Sequence, residues 1–141
     1  MFKNYDPKEI TVTLAGILIG GYADGEFVRI EQESDDFSDV VGTDGEVSRS
    51  KTSDRRATVT FALMQTSASN ALLSALNQLD RNSPNGAGVG ALIIRDRQGT
   101  SLYRGAHAWV QKPPDVSFDR EPTSREWTIR VAVLERLDGG N

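Results

Sequence analysis

The residues that could do chemistry are few and scattered. His107 is the only histidine, and the chain has no cysteine. A histidine-centred triad needs a nucleophile and an orienting acid beside the imidazole. His107 instead lies in a strand-like run next to Trp109, and it reads as a packed or surface side chain. Metal sites built on several histidines or thiolates are excluded by the same counts. The acidic residues from Asp39 to Glu46 could supply oxygens to calcium, but their spacing lacks the EF-hand order, so a solvated loop is the simpler reading. Gly86-Ala87-Gly88-Val89-Gly90 has the glycines of a phosphate loop in a reversed context. Such a loop follows a strand and opens a helix, whereas this one follows a helical pattern and opens a strand, so it reads as a flexible connection. Arg49, Lys51, Arg55 and Arg56 could touch phosphates, but no aromatic residue is interleaved with them for bases to stack on. No catalytic residue, cofactor site or metal ligand is assigned, and an enzyme is the least supported class.

The charged residues form a pattern of a different kind. Residues 31–46 hold seven acidic side chains (Glu31, Glu33, Asp35, Asp36, Asp39, Asp44, Glu46) and no Lys or Arg. Residues 49–56 hold four basic ones and a single acid, Asp54. Phe37, Val40, Val41 and Val47 are the few large apolar side chains there, too few to build a core. Such a segment is either disordered or ordered by a partner. A second copy of the same chain carries the complementary charge pattern.

The elements flanking that segment are legible from periodicity. Ile10, Val12 and Leu14 alternate with Thr11 and Thr13 as a strand with one buried face. Asp24-Gly25 is a turn signal, and residues 27–33 return as a second strand, so residues 10–33 read as a hairpin. Residues 56–66 give the clearest strand, with Ala57, Val59, Phe61 and Leu63 on one face and Thr58 and Thr60 on the other. Leu72, Leu73, Leu76 and Leu79 then recur at helical spacing and predict one amphipathic helix over residues 68–80, capped by Ser67 or Ser69. Residues 92–112 read as another hairpin, ended by Pro113-Pro114. Trp127, Ile129, Val131 and Val133 make a last strand, and the tail Leu137-Asp138-Gly139-Gly140-Asn141 looks frayed. Trp109 and Trp127 read as core or subunit-contact residues. The sum is about six strands and one helix, an α+β, mainly antiparallel β domain.

Composition agrees with one folded domain over residues 1–141: 38% hydrophobic and 26% charged residues, with a formal net charge of -4. An acidic balance argues against general nucleic-acid binding. No secretory signal is visible at the start, and the longest apolar run, residues 14–19, is far too short to span a bilayer.

The run GTDGEVSRSKTSDRRATVTFALMQTS, residues 42–67, leads directly into the predicted helix. With Ile94-Arg95-Asp96, Ala108-Trp109-Val110, Phe118-Asp119-Arg120-Glu121 and Arg125-Glu126-Trp127, it resembles the tail tube proteins of contractile-tailed bacteriophages over nearly the whole chain. That resemblance implies a β-sandwich or partial barrel with one flanking helix and a long polar loop or hairpin arm, here residues 34–56. It implies hexameric rings stacked into a hollow tube, each subunit giving four strands to a shared inner barrel. Roughly two dozen strands at about 4.8 Å give a bore near ~37 Å before tilt widens it, enough for a DNA duplex. The polar strand faces then supply the lumen candidates Arg29, Glu31, Glu33, Thr58, Thr60, Thr128 and Arg130. The arm supplies the contact candidates Asp44, Glu46, Arg49, Lys51, Arg55 and Arg56. The partners implied are further copies of the chain, tail sheath, baseplate and terminator proteins, and tape-measure protein and DNA in the lumen without sequence-specific binding. No membrane is involved, and the expected location is the virion tail, assembled in the host bacterial cytoplasm. The same resemblance fits tube subunits of contractile bacteriocins and type VI secretion devices, which carry no DNA. A monomeric β-rich binding module is the alternative of a different class.

Overall fold

The computed structural model describes residues 2–140. After a short 3-10 turn at Pro7–Glu9, the chain forms β1 (Ile10–Leu14), β2 (Ile17–Ile19), β3 (Val28–Gln32), β4 (Phe37–Val41), β5 (Val47–Lys51) and β6 (Ala57–Met64). Helix α1 (Ser69–Asn82) follows, then β7 (Gly90–Asp96), β8 (Leu102–Lys112), β9 (Ser124–Val131) and β10 (Glu135–Leu137). Eight strands make one antiparallel sheet in the order β2-β1-β7-β8-β9-β6-β3, with β10 also on β8, while β4 and β5 form a separate two-stranded sheet.

The first expected hairpin is corrected. β1 turns back at once into β2 through Ala15 and Gly16, both at positive φ (51° and 81°), as a two-residue turn requires. β3 pairs with β6 instead of β1, and Asp24-Gly25 lies in the connection between β2 and β3. Alternation marked both strands correctly but carries no information on which strand each one meets. The expected six strands become ten for the same reason: β2, β4, β5 and β10 are short or lack a buried face.

The sheet curls around one core. Ala57, Val59, Phe61 and Leu63 of β6 join Trp127, Ile129 and Val131 of β9, and Val12, Leu14, Leu92 and Ile94 of β1 and β7 close over them. Replacing a fully buried ring such as Phe61 by Ala should cost about 3–5 kcal/mol. The two ends of the sheet, β1 with β2 and β3, face each other across an unpaired seam.

Helix α1 packs on this core through Leu73, with Leu76 half-buried, whereas Leu72 and Leu79 are exposed. The anchoring face is partly polar. Asn70 is buried, its amide donates to the Met64 and Ser67 carbonyls (2.9 and 3.2 Å), and its oxygen accepts from Trp127 Nε1 (2.9 Å). The N-cap position is Ala68, which offers no side-chain cap, but Ser67 Oγ accepts from the Ser69 N–H (3.2 Å) and so covers the first N–H of the helix. Ser67 Oγ donates to the Gly20 carbonyl (2.6 Å) and Ser69 Oγ accepts from the Gly20 N–H (3.0 Å), tying the helix start to β2. Gly21 is required there: its φ is +72°, and a Cβ would fall 2.5 Å from Ser67 Oγ.

Two further expectations change. The glycine-rich loop after the helix lies against it instead of swinging free: Gly88 N–H donates to Asp80 Oδ1 (3.1 Å), and a Cβ at Gly88 would meet Asp80 Cβ at 2.5 Å. The tail is held too. The last strand stops at Val131, β10 re-pairs with β8, Ser101 Oγ donates to the Gly139 carbonyl (3.0 Å), and Tyr103 donates to Asp138 (2.7 Å).

Candidate functional site

Register sets the polar face of the sheet. Arg29, Thr60 and Thr128 stand side by side on β3, β6 and β9, and Lys112 continues the row on β8. Glu31, Thr58, Arg130 and Trp109 make the next row across the same four strands. Glu33, just past β3, reaches into it: Thr58 Oγ1 donates to Glu33, and Arg130 Nη1 lies 3.4 Å from the same carboxylate. All seven polar-face candidates therefore share one surface. The opposite side chains of these strands, Val28 and Ile30, Val59 and Phe61, Trp127 and Ile129, point to the core.

Both arginines of this face are paired with carboxylates. Arg29 pairs with Glu31, and Arg130 pairs with Glu33 while its Nε donates to Gln111 (3.1 Å). Arg130 is only 17% exposed, so its charge is held among its partners. Trp109 is half-buried in the same row, whereas Trp127 is a core residue. His107 is exposed on β8. Among the described residues no group of three or more His, Cys, Asp or Glu could hold a metal.

The two outer edges of this four-stranded slab are open. On β3, Phe27 and Glu33 bond to β6, so by alternation Val28, Ile30 and Gln32 turn their backbone groups to the free side. On β8, β7 ends opposite Ala108, and among the described residues no strand pairs with the other side of residues 109–112.

The polar segment is a projecting hairpin. It continues from the Gln32/Ala57 end of the β3–β6 pair, and every residue of β4 and β5 is exposed. Phe37 stands opposite Lys51, Asp39 opposite Arg49 and Val41 opposite Val47, so these six share one face. Ser38, Val40, Ser48 and Ser50 share the other. Arg49 lies over the Phe37 ring at 4.1 Å, a contact worth about 0.5–1 kcal/mol at an exposed site. At the tip, the Gly42 N–H donates to the Glu46 carbonyl (2.8 Å) and Asp44 Oδ1 accepts from the Glu46 N–H (3.1 Å).

The root of the arm is knotted. Arg56 donates twice to Asp54 (2.9 and 3.0 Å), and Ser34 Oγ donates to Asp54 Oδ2 (2.6 Å). The guanidinium and the hydroxyl together hold the Asp54 carboxyl well below the usual carboxylate range. Thr52 N–H donates to the Asp36 carbonyl (2.9 Å), and Gln32 Nε2 bonds both the Ser34 carbonyl and Asp36 (2.6 and 2.8 Å). The six contact candidates thus divide: Asp44 and Glu46 at the tip, Arg49 and Lys51 on one arm face, Arg55 and Arg56 at the root. Sequence reasoning did not single out Phe37, Asp39, Val41 and Val47 on that face, because their shared side appears only once β4–β5 register is known.

The family model described as Bacteriophage PhiTE tail tube protein matches residues 10–139. The Structural protein ORF10 of Pseudomonas phage KPP10 is 29% identical over 145 aligned positions, covering 99% of this chain and 84% of that protein. Among solved structures, the sheath/tube terminator of the extracellular contractile injection system PVC superposes with a TM-score of 0.65 at 12% identity, covering 96% of this chain and 98% of that one. The tube terminating cap of the anti-feeding prophage superposes with a TM-score of 0.60 at 9% identity, covering 97% and 93%. At such identities these two likenesses concern the fold alone.

Proposed function

The chain belongs to the bacteriophage PhiTE tail tube protein family, a structural and non-enzymatic one, and from that premise we propose that it polymerises through its four-stranded slab into the wall of a hollow tail conduit. Family membership implies a place in the virion tail and assembly with other tail components. The observation that carries the finer reading is the slab β3-β6-β9-β8, polar on one face, apolar on the other and unpaired along the outer edge of β3 and of residues 109–112 of β8. Its strands alternate in direction, and four is an even number. When β8 of one copy meets β3 of the next, the two run antiparallel, and the alternation continues around a closed ring without a fault. A slab with an odd number of strands would force a parallel joint. Closure also removes two exposed edges that a lone domain leaves open to chance pairing.

In a hexameric ring the polar face lines the bore. Arg29, Glu31, Glu33, Thr58, Thr60, Thr128 and Arg130 then meet the cargo. Their cations are already paired with carboxylates, which suits a wall past which DNA slides: unpaired cations would exchange phosphate counterions and hold the polyanion. The arm makes contacts to neighbouring copies.

Electron microscopy of the purified protein tests this reading. The expected result is stacked rings with an axial hole of about 40 Å, the size set by roughly two dozen strands. Single rings that never stack would support a capping role like that of the two structural neighbours. Monomers at high concentration would overturn the reading in favour of a binding module.

A further inference from the structure

The arm leaves one end of the β3–β6 pair, and an apolar groove opens at the other. The Ala23 N–H bonds to the Ala62 carbonyl and the Met64 N–H to the Gly21 carbonyl, which fixes the β2–β3 connection to the end of the pair opposite Gln32 and Ala57. Between that connection and β1–β2 lies a groove of about 720 Å³, lined by Tyr5, Ile10, Leu18, Ile19, Tyr22 and Phe27, with Lys8 and Asp24 also in its wall. Leu18 is 67% exposed, and Tyr5 is 59% exposed. Neither Lys8 nor Asp24 has an oppositely charged partner among the described residues.

We infer that this groove receives the arm of a second copy of the chain, with the Phe37–Asp39–Val41 face inward. Three observations on the molecule select that occupant. The arm face carries three exposed apolar side chains among its charges, Phe37, Val41 and Val47 at 44%, 62% and 62%. It carries an anion and cations with no ion-pair partner of their own: Asp39 stands opposite Arg49, but Arg49 turns to the Phe37 ring instead. Asp39 complements Lys8, and Arg49 complements Asp24. Finally, arm and groove lie at opposite ends of the same strands, so no copy reaches its own groove. The contact is heterologous and translates along the strand direction, which yields an open filament. The inference rests on the proposed tube for its direction, since the strands there run toward the next ring.

The chain has no cysteine, which makes a cross-linking test clean. Lys8→Cys with Asp39→Cys in one chain, oxidised at assembly concentration, should give a ladder of head-to-tail multimers, while each single variant gives at most dimers. Lys8→Glu and Asp39→Lys should each lose tubes at the concentration where the unaltered chain forms them, with rings retained and melting unchanged. The two together should restore tubes. A ladder without rings would keep the docking and overturn the ring. No ladder from the double variant, or normal tubes from either charge variant, would give the groove to another tail component and overturn the inference.

Discussion

A small number of polar side chains hold the helix and the groove, and they set distinct expectations. Asn70 satisfies Trp127 Nε1 and two carbonyls from a buried position. The Met64 and Ser67 carbonyls keep the Ser67 and residue-70 backbone N–H groups, but Asn70→Ala leaves buried Trp127 Nε1 without its acceptor and should cost about 1–3 kcal/mol, read as a lower urea midpoint in Trp127 fluorescence. Gln111→Ala removes the oxygen that accepts from Arg130 Nε and should cost about 0.5–1.5 kcal/mol. Tyr22 lies in the groove wall and donates to the Ile19 carbonyl (3.1 Å), and burial pushes its hydroxyl up from 10.0 to about 12. The folded state therefore favours neutral Tyr22. That contribution is complete below the ordinary tyrosine value and is lost as pH rises from 10.0 through about 12. Tyr22→Phe should flatten this alkaline loss in urea titrations at successive pH values. Asp54 has the opposite sign. Its carboxyl is held low, so its contribution is complete above the ordinary carboxylate range and fades as pH falls below it. Protection of the amides at the root of the arm, taken relative to their intrinsic exchange, should therefore fall in acid before the core opens.

At the scale of elements, the arm contributes little to the stability of its own domain. An isolated two-stranded hairpin is marginal in water, and this one buries none of its residues. Replacing residues 37–51 by a short Gly-Ser turn should move the melting temperature by no more than a few degrees while abolishing tubes, as calorimetry and microscopy would show. The arm's existence was legible because residues 31–56 hold too few large apolar side chains for a core. Its hairpin form was not, since the strands carry charge on the same face as apolar groups and lack a clean alternation. The polar face was legible residue by residue: Thr58, Thr60, Thr128 and Arg130 alternate with buried neighbours, and register gathers them. The pairing of β3 was hidden because a five-residue strand states its faces and not its partner. The helix was read in place, yet its apolar spacing overstated its burial. Asn70 and Asn77 face the core, while Leu72 and Leu79 face outward, because the anchoring comes from hydrogen bonds to Trp127 and the preceding turn.

Across the whole molecule, the two arginines of the polar face, Arg29 and Arg130, each sit against a carboxylate, and that pairing can be broken selectively. Glu31→Gln with Glu33→Gln would release Arg130 and leave Arg29 only its longer pair with Glu26 (4.0 Å). Tubes of this variant should bind duplex DNA at low ionic strength and release it steeply as salt rises, whereas unaltered tubes should bind little at any salt. Filter binding at several salt concentrations measures both. The root of the arm has a mechanical meaning as well. Asp54, Arg56, Ser34 and Gln32 lock the hairpin to the slab within a few residues of where it leaves. A projection clamped in this way is a lever, not a tether. It gives up little freedom when it docks, and it cannot absorb a twist by bending at its base. In a stack of such subunits, a rotation imposed on one layer would pass to the next as torque, and the column would turn as a single shaft.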